Sequence, residues 1–183
     1  AMLVTGFAAI GCGDSDSGSA FGGLGETITR SDVQVYIAGA GTSNDTANSI
    51  TSYTGMTNPV GNISDVGSAS MTSGKLSFTL GPPTAGWDNL TTLGVTASPG
   101  DAQVLIITGF AYNNSDRLSY GDGTDKFVVY VYADKNVTLS GAGIDGQVRL
   151  AKGWNHGIYS DSANKFSSGG PETSYRWFTN SGS

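Results

Sequence analysis

Residues 126–132 read KFVVYVY, and residues 102–110 read AQVLIITGF. In both runs apolar side chains occupy successive positions, so an extended chain presents them to either side rather than to one. That suits strands at the centre of a sheet, covered on both faces. Turn chemistry bounds the two runs, with Ser98-Pro99-Gly100-Asp101 before the first and Gly121-Asp122-Gly123 before the second.

Outward from this pair the dominant signal is period two. In SDVQVYIAGA (31–40) Val33, Val35 and Ile37 alternate with Gln34, Tyr36 and Ala38. In GKLSFTLGPP (74–83) Leu76, Phe78 and Leu80 alternate with Lys75, Ser77 and Thr79 before a Gly-Pro-Pro stop. Both read as strands with one buried face. NVTLSG (136–141), GQVRLAKGW (146–154) and TSYRWF (173–178) are further strand candidates, and Ser168-Gly169-Gly170-Pro171 separates the last two. Only WDNLTTLG (87–94), with Trp87, Leu90 and Leu93 three apart, suggests a helical turn. The expectation is an all-β fold, an antiparallel two-sheet β-sandwich of Ig-like or jelly-roll-like type with an extended N-terminal segment. A closed barrel is the alternative. Residues 39–73, rich in Gly, Ser, Thr and Asn with scattered Ile and Met, read as a hairpin or a long irregular loop.

The chain of 183 residues has the size of one large domain or a domain with a tail. Charged residues make up only 13%, and apolar residues 38%, the balance of a secreted, turn-rich β protein. The net charge of −6 with only nine Lys and Arg argues against nucleic acid and against anionic headgroups as partners. A single cysteine, Cys12, allows neither an intramolecular disulfide nor a cysteine-ligated zinc.

The chain divides into an apolar segment (1–11), a Gly/Ser/Asp-rich linker (12–25) and a β-sandwich domain (26–183). AAIGC (Ala8 to Cys12) resembles the lipobox that ends a bacterial lipoprotein export signal. That resemblance implies a lipid on the Cys12 thiol and a polar tether, GDSDSGS, after it; an unmodified thiol in a tail is the other reading. Ala9 stands where the box usually has Leu or Val, and a basic stretch before the apolar run is missing. Residues 1–11 are also apolar on both faces when extended. They resemble the donor strand of bacterial and archaeal filament subunits, with Met2, Leu3, Val4, Phe7 and Ile10 as the inserting side chains and the Gly-rich tract as connector. Head-to-tail contacts of this kind do not close, so they propagate as a fibre of copies of the same chain. A remnant of an export signal is the competing account of the same residues.

Tyr132 to Asp134, Lys152-Gly153-Trp154-Asn155 and Trp177-Phe178 together resemble the C-terminal part of a group of spirochaete-type bacterial surface lipoproteins. In that group an Asp-containing strand is followed by a Lys-Gly-Trp-Asn turn and a last aromatic strand. GKLSFTLGPP with the Leu-rich turn at Trp87 to Leu93 extends the likeness over residues 74–183. It implies an extracellular or outer-membrane surface location, contact with a membrane only through the lipid on Cys12, and no particular activity.

Catalytic chemistry finds little footing. His156, the one histidine, reads as a turn residue without a Gly-x-Ser-x-Gly nucleophile elbow elsewhere. Glu26 and Glu172, the only glutamates, form no persuasive pair for glycoside hydrolysis. Asp116, Asp122 and Asp125 share one loop region and make a calcium candidate, because calcium takes several oxygen ligands from such loops. Otherwise no cofactor is expected. Trp154 and Trp177, with Trp87, Tyr130, Tyr132 and Tyr175, are candidates for an aromatic platform that stacks on a glycan; aromatics of a β-sandwich more often pack in its core. The expectation is a non-enzymatic surface protein that assembles into a filament by strand donation, or else a monomeric lipoprotein binding a host, matrix or glycan ligand.

Overall fold

A computed structural model of the chain describes residues 23–37, 41–43, 48–56, 61–112 and 116–180. Cys12 and the donor residues Met2, Leu3, Val4, Phe7 and Ile10 lie outside them. The chain runs through β1 (Ile28–Ile37), β2 (Gly41–Thr42), β3 (Asn48–Ile50), β4 (Ser52–Gly55), β5 (Gly61–Asn62), a short 3-10 turn (Ile63–Asp65), β6 (Gly67–Thr72), β7 (Lys75–Leu80) and β8 (Val95–Ser98). It continues through β9 (Val104–Tyr112), β10 (Asp116–Gly121), β11 (Lys126–Ala133), β12 (Val137–Gly141), β13 (Gln147–Leu150), β14 (Gly153–Ser160), β15 (Lys165–Ser168) and β16 (Arg176–Asn180). The fold is all-β. One large sheet follows the order β15-β14-β11-β9-β10-β16-β1-β7-β6-β3, and β13-β12-β8 form a second, small sheet.

The large sheet is curled. β3 pairs with β6 at its far end, while β4, one residue further along the chain, pairs with β9 near its middle. The step through Thr51 thus draws the end of the sheet back towards its centre. Inside the curl lies one core, built from Val35, Leu76, Phe78, Leu80, Leu105, Ile107, Phe110, Tyr130, Tyr132, Trp154 and Trp177 among others. The small sheet packs on the opposite face of β9 and β11. There Val104, Ile106, Val129 and Val131 meet Val137, Leu139, Val148 and Leu150 in a second core. β9 and β11 are therefore covered on both faces, which is why AQVLIITGF and KFVVYVY are apolar at both parities.

One departure from the expected antiparallel pattern joins the two ends of the domain. β1 pairs with β16 in parallel, Val35 opposite Trp177 and Ile37 opposite Thr179, so the sheet is mixed. A parallel neighbour needs a crossover, and here nearly the whole domain supplies it. β1 also bends between Arg30 and Val33, where Asp32 takes a positive φ of 54°.

Residues 39–73 are more than a loop. Ile50, Tyr53, Ile63, Val66 and Met71 are all buried in the inner core. Residues 87–94 hold the single helical turn expected of them: Leu93 N–H donates to the Asn89 carbonyl four residues back, and Asn89 Oδ1 accepts from Thr92 N–H at 3.2 Å. Pairing also starts before Glu26, with Leu24 N–H on the Trp154 carbonyl at 2.7 Å and Trp154 N–H on the Gly25 carbonyl at 2.8 Å.

Candidate functional site

The second core is not sealed at one end. Beside β8 an apolar groove of about 290 Å³ runs between the layers, with Ile106 of β9 and Val129 of β11 as floor. Val95 and Leu139 of the small sheet face that floor, and Leu93, Ile144 and Phe166 line the rest. Two polar contacts hold its shape. Asp88 Oδ2 accepts the Ile106 N–H at 2.6 Å, tying the 87–94 turn to β9. The Tyr159 hydroxyl donates to Asn164 Oδ1, and its ring lies 5.1 Å from that of Phe127. β8 ends the small sheet, so its outer edge has no strand partner among the described residues, although the Val95 N–H at its start donates to the Leu90 carbonyl at 2.9 Å. An apolar groove beside an unpaired strand edge can accept an extended apolar peptide: backbone to the edge, alternate side chains into the groove.

The residues singled out in the sequence take other roles. Trp154 and Trp177 are only 0% and 4% exposed, so the surface platform they were expected to form is not there. Trp154 stands edge-on to Tyr132, and its indole N–H donates to the Gly81 carbonyl at 3.1 Å. Trp177 stacks between Tyr120 and Phe110 at ring distances of 5.3 and 5.8 Å. The physical reason is the curl, which turns the inward face of β14 and β16 into core.

Lys152-Gly153-Trp154-Asn155 is likewise the entry to β14 rather than a free turn, and His156 lies within that strand opposite Tyr130. Asn155 is wholly buried. Its Nδ2 donates to the carbonyls of Ala151 at 2.8 Å and Gly153 at 3.0 Å, and its Oδ1 accepts from Ala151 N–H. Gly153 has φ of +95°, and a Cβ there would stand 2.7 Å from the Gly25 carbonyl oxygen. The motif is a piece of architecture. Beside it the Tyr132 hydroxyl donates to Glu26 Oε2 at 2.6 Å and Lys152 lies 3.3 Å from Oε1; these contacts, the Tyr132 bond foremost, hold the Glu26 carboxyl below its usual value against a smaller upward push from burial. Burial first, then Glu26, pushes the Tyr132 phenol up to about 12.

Of the calcium candidates, Asp116 lies on β10 and pairs with Tyr112 through the backbone. Asp122 Oδ1 accepts from the backbone N–H of Thr124, Asp125 and Lys126, closing the β10–β11 hairpin. Desolvation raises the Asp122 pKa, but these hydrogen bonds outweigh it and the net shift is downward. Asp125 faces away across the hairpin, accepting from Ser162 N–H at 2.7 Å and the Ser160 hydroxyl at 2.9 Å. Among the described residues no group of three His, Cys, Asp or Glu is placed to hold a metal ion. No described helix is long and apolar enough to cross a membrane. No protein-family model matches the chain, and neither a curated protein nor a solved structure matches it.

Proposed function

We propose that the protein is a non-enzymatic structural subunit of a bacterial surface filament, and that residues 2–11 of one copy add to the outer edge of β8 in the next. The observation that carries this is the apolar groove, which β8, the end strand of the small sheet, helps to line through Val95. In this reading the small sheet and the strands it covers are the two layers of a sandwich, and the incoming segment supplies its next strand. The occupant is chosen by composition: AMLVTGFAAIG has no charged residue and apolar side chains on both faces, and the Gly/Ser-rich residues after it serve as the connector. About 290 Å³ takes a few large side chains rather than a whole segment, so Leu3 and Phe7, which share one face of an extended strand, are the anchors and the backbone supplies the rest. Burying those two side chains contributes about 3–6 kcal/mol before ordering costs, at ~1.5–3 kcal/mol each. If the thiol of Cys12 carries lipid, as the AAIGC resemblance implies, it anchors a monomeric precursor instead.

The test compares the full chain with one lacking residues 2–11, by light scattering on a sizing column and by negative-stain microscopy. Assembly of the full chain that is lost on deletion and blocked by free AMLVTGFAAIG peptide supports the reading. A full chain that stays monomeric, or a shortened one that still polymerises, refutes it.

A further inference from the structure

A second cavity of about 290 Å³ opens where β1, β10, β11, β14 and β16 meet, away from the groove beside β8. Its wall is aromatic. Tyr120 and Tyr130 lie nearly parallel to Trp177, at interplanar angles of 13° and 10°, and Tyr36 and Tyr175 complete it. Its charge is one-sided: Arg30 and Arg176 line it, and no Asp or Glu does. In a chain of net charge −6 with nine cationic side chains, two arginines at one acid-free cavity stand out.

Neither arginine is in an ion pair among the described residues, and both are exposed. Arg176 Nη1 donates only to the Thr173 and Tyr175 carbonyls, and Arg30 Nη1 only to that of Thr29. Each guanidinium carries five N–H donors in a planar fork suited to a carboxylate, so most of that capacity is left over. Gln34 and His156 add polar atoms to the lining, and His156 Nδ1 is buried with no hydrogen-bond partner. Aromatic faces beside cationic forks call for a ligand with a flat apolar face, several hydroxyls and one carboxylate.

We infer that this cavity binds one hexuronate ring of an acidic polysaccharide, its carboxylate on Arg30 and Arg176 and its ring against Tyr36 and Tyr120, the half-buried members of the wall. The volume is at the lower end for small-molecule sites, which suits a single ring with the rest of the glycan outside. The site is independent of strand donation and stands whether or not the protein polymerises.

The experiment is calorimetric titration of the full chain with tri-galacturonate and with its fully methyl-esterified form, which keeps the rings and removes the charge. The acidic trimer is expected to bind at least tenfold more tightly than the ester. Arg30→Gln combined with Arg176→Gln is expected to weaken the acid at least tenfold and leave the ester unchanged. Both arginines are exposed, so the variant should keep the parent's melting temperature, and Arg149→Gln on the exposed face of β13, in the other sheet, serves as a control for general charge. Equal binding of acid and ester, no binding of either, or equal loss in the control overturns the assignment.

Discussion

Replacing Trp154 by alanine separates a core residue from a ligand platform. The side chain is fully buried, edge-on to Tyr132 at 5.3 Å, with its N–H on the Gly81 carbonyl. Truncating a buried Trp to Ala costs about 3–5 kcal/mol. A domain of this size loses about 2–4 °C of melting temperature per kcal/mol, so the expected fall is about 6–20 °C. Trp154→Phe keeps a ring against Tyr132 but removes the N–H and the bulk of the second ring, leaving the Gly81 carbonyl without that donor; a loss of about 1–3 kcal/mol follows, or about 2–12 °C. The assay is thermal unfolding followed by circular dichroism, with urea midpoints to confirm one cooperative transition. An exposed platform residue would change stability by no more than about 0.5 kcal/mol. A Trp154→Ala protein melting within about 2 °C of the parent would therefore refute the buried placement and the curl that causes it.

Asn155→Leu strips partners from the N–H and carbonyl of Ala151 and from the Gly153 carbonyl, and is expected to cost about 3 kcal/mol or more in urea unfolding. Gly153→Ala forces a side chain into a left-handed backbone at 2.7 Å from the Gly25 carbonyl; a loss of about 1–3 kcal/mol, read as a shifted urea midpoint, is expected. The Asp125 carboxyl is held below its usual range, first by the Ser162 N–H and then by the Ser162 and Ser160 hydroxyls. A depressed folded-state pKa gives stability that is present in full above the unfolded value of about 3.9 and is lost as pH falls through the lower folded value. The urea midpoint of Asp125→Asn should thus lie below the parent's at pH 6 and converge with it towards pH 2.

What the sequence disclosed is what depends on neighbours along the chain. Leu76, Phe78 and Leu80 alternate with polar residues because β7 has one covered face, and all three are buried. KFVVYVY carries the signature of a strand between two layers, and it is one. The misreadings concern contacts between distant segments. Gly153 and Asn155 look like turn residues by composition, yet both serve the packing of β14 against Gly25 and Ala151. Residues 39–73 hid five core side chains because strands of two to six residues, broken by glycines, are too short to show a period. Arg30 and Arg176 lie near opposite ends of the domain, and only the parallel pairing of β1 with β16 brings them to one cavity. The groove beside β8 is defined by an unpaired strand edge, and strand order is not written in local pattern.

The placement of β16 has a consequence for how the molecule is made. It lies between β1 and β10, so the first long strand of the domain must wait for the last before its second neighbour exists. A nascent chain still without residues 176–180 exposes two open strand edges and lacks Trp177, the ring on which Phe78, Phe110, Tyr120 and Tyr130 converge. Contacts this distant in sequence make folding slow and keep it late. Closure of the inner core thus waits on residues 176–180 however early β1 is made.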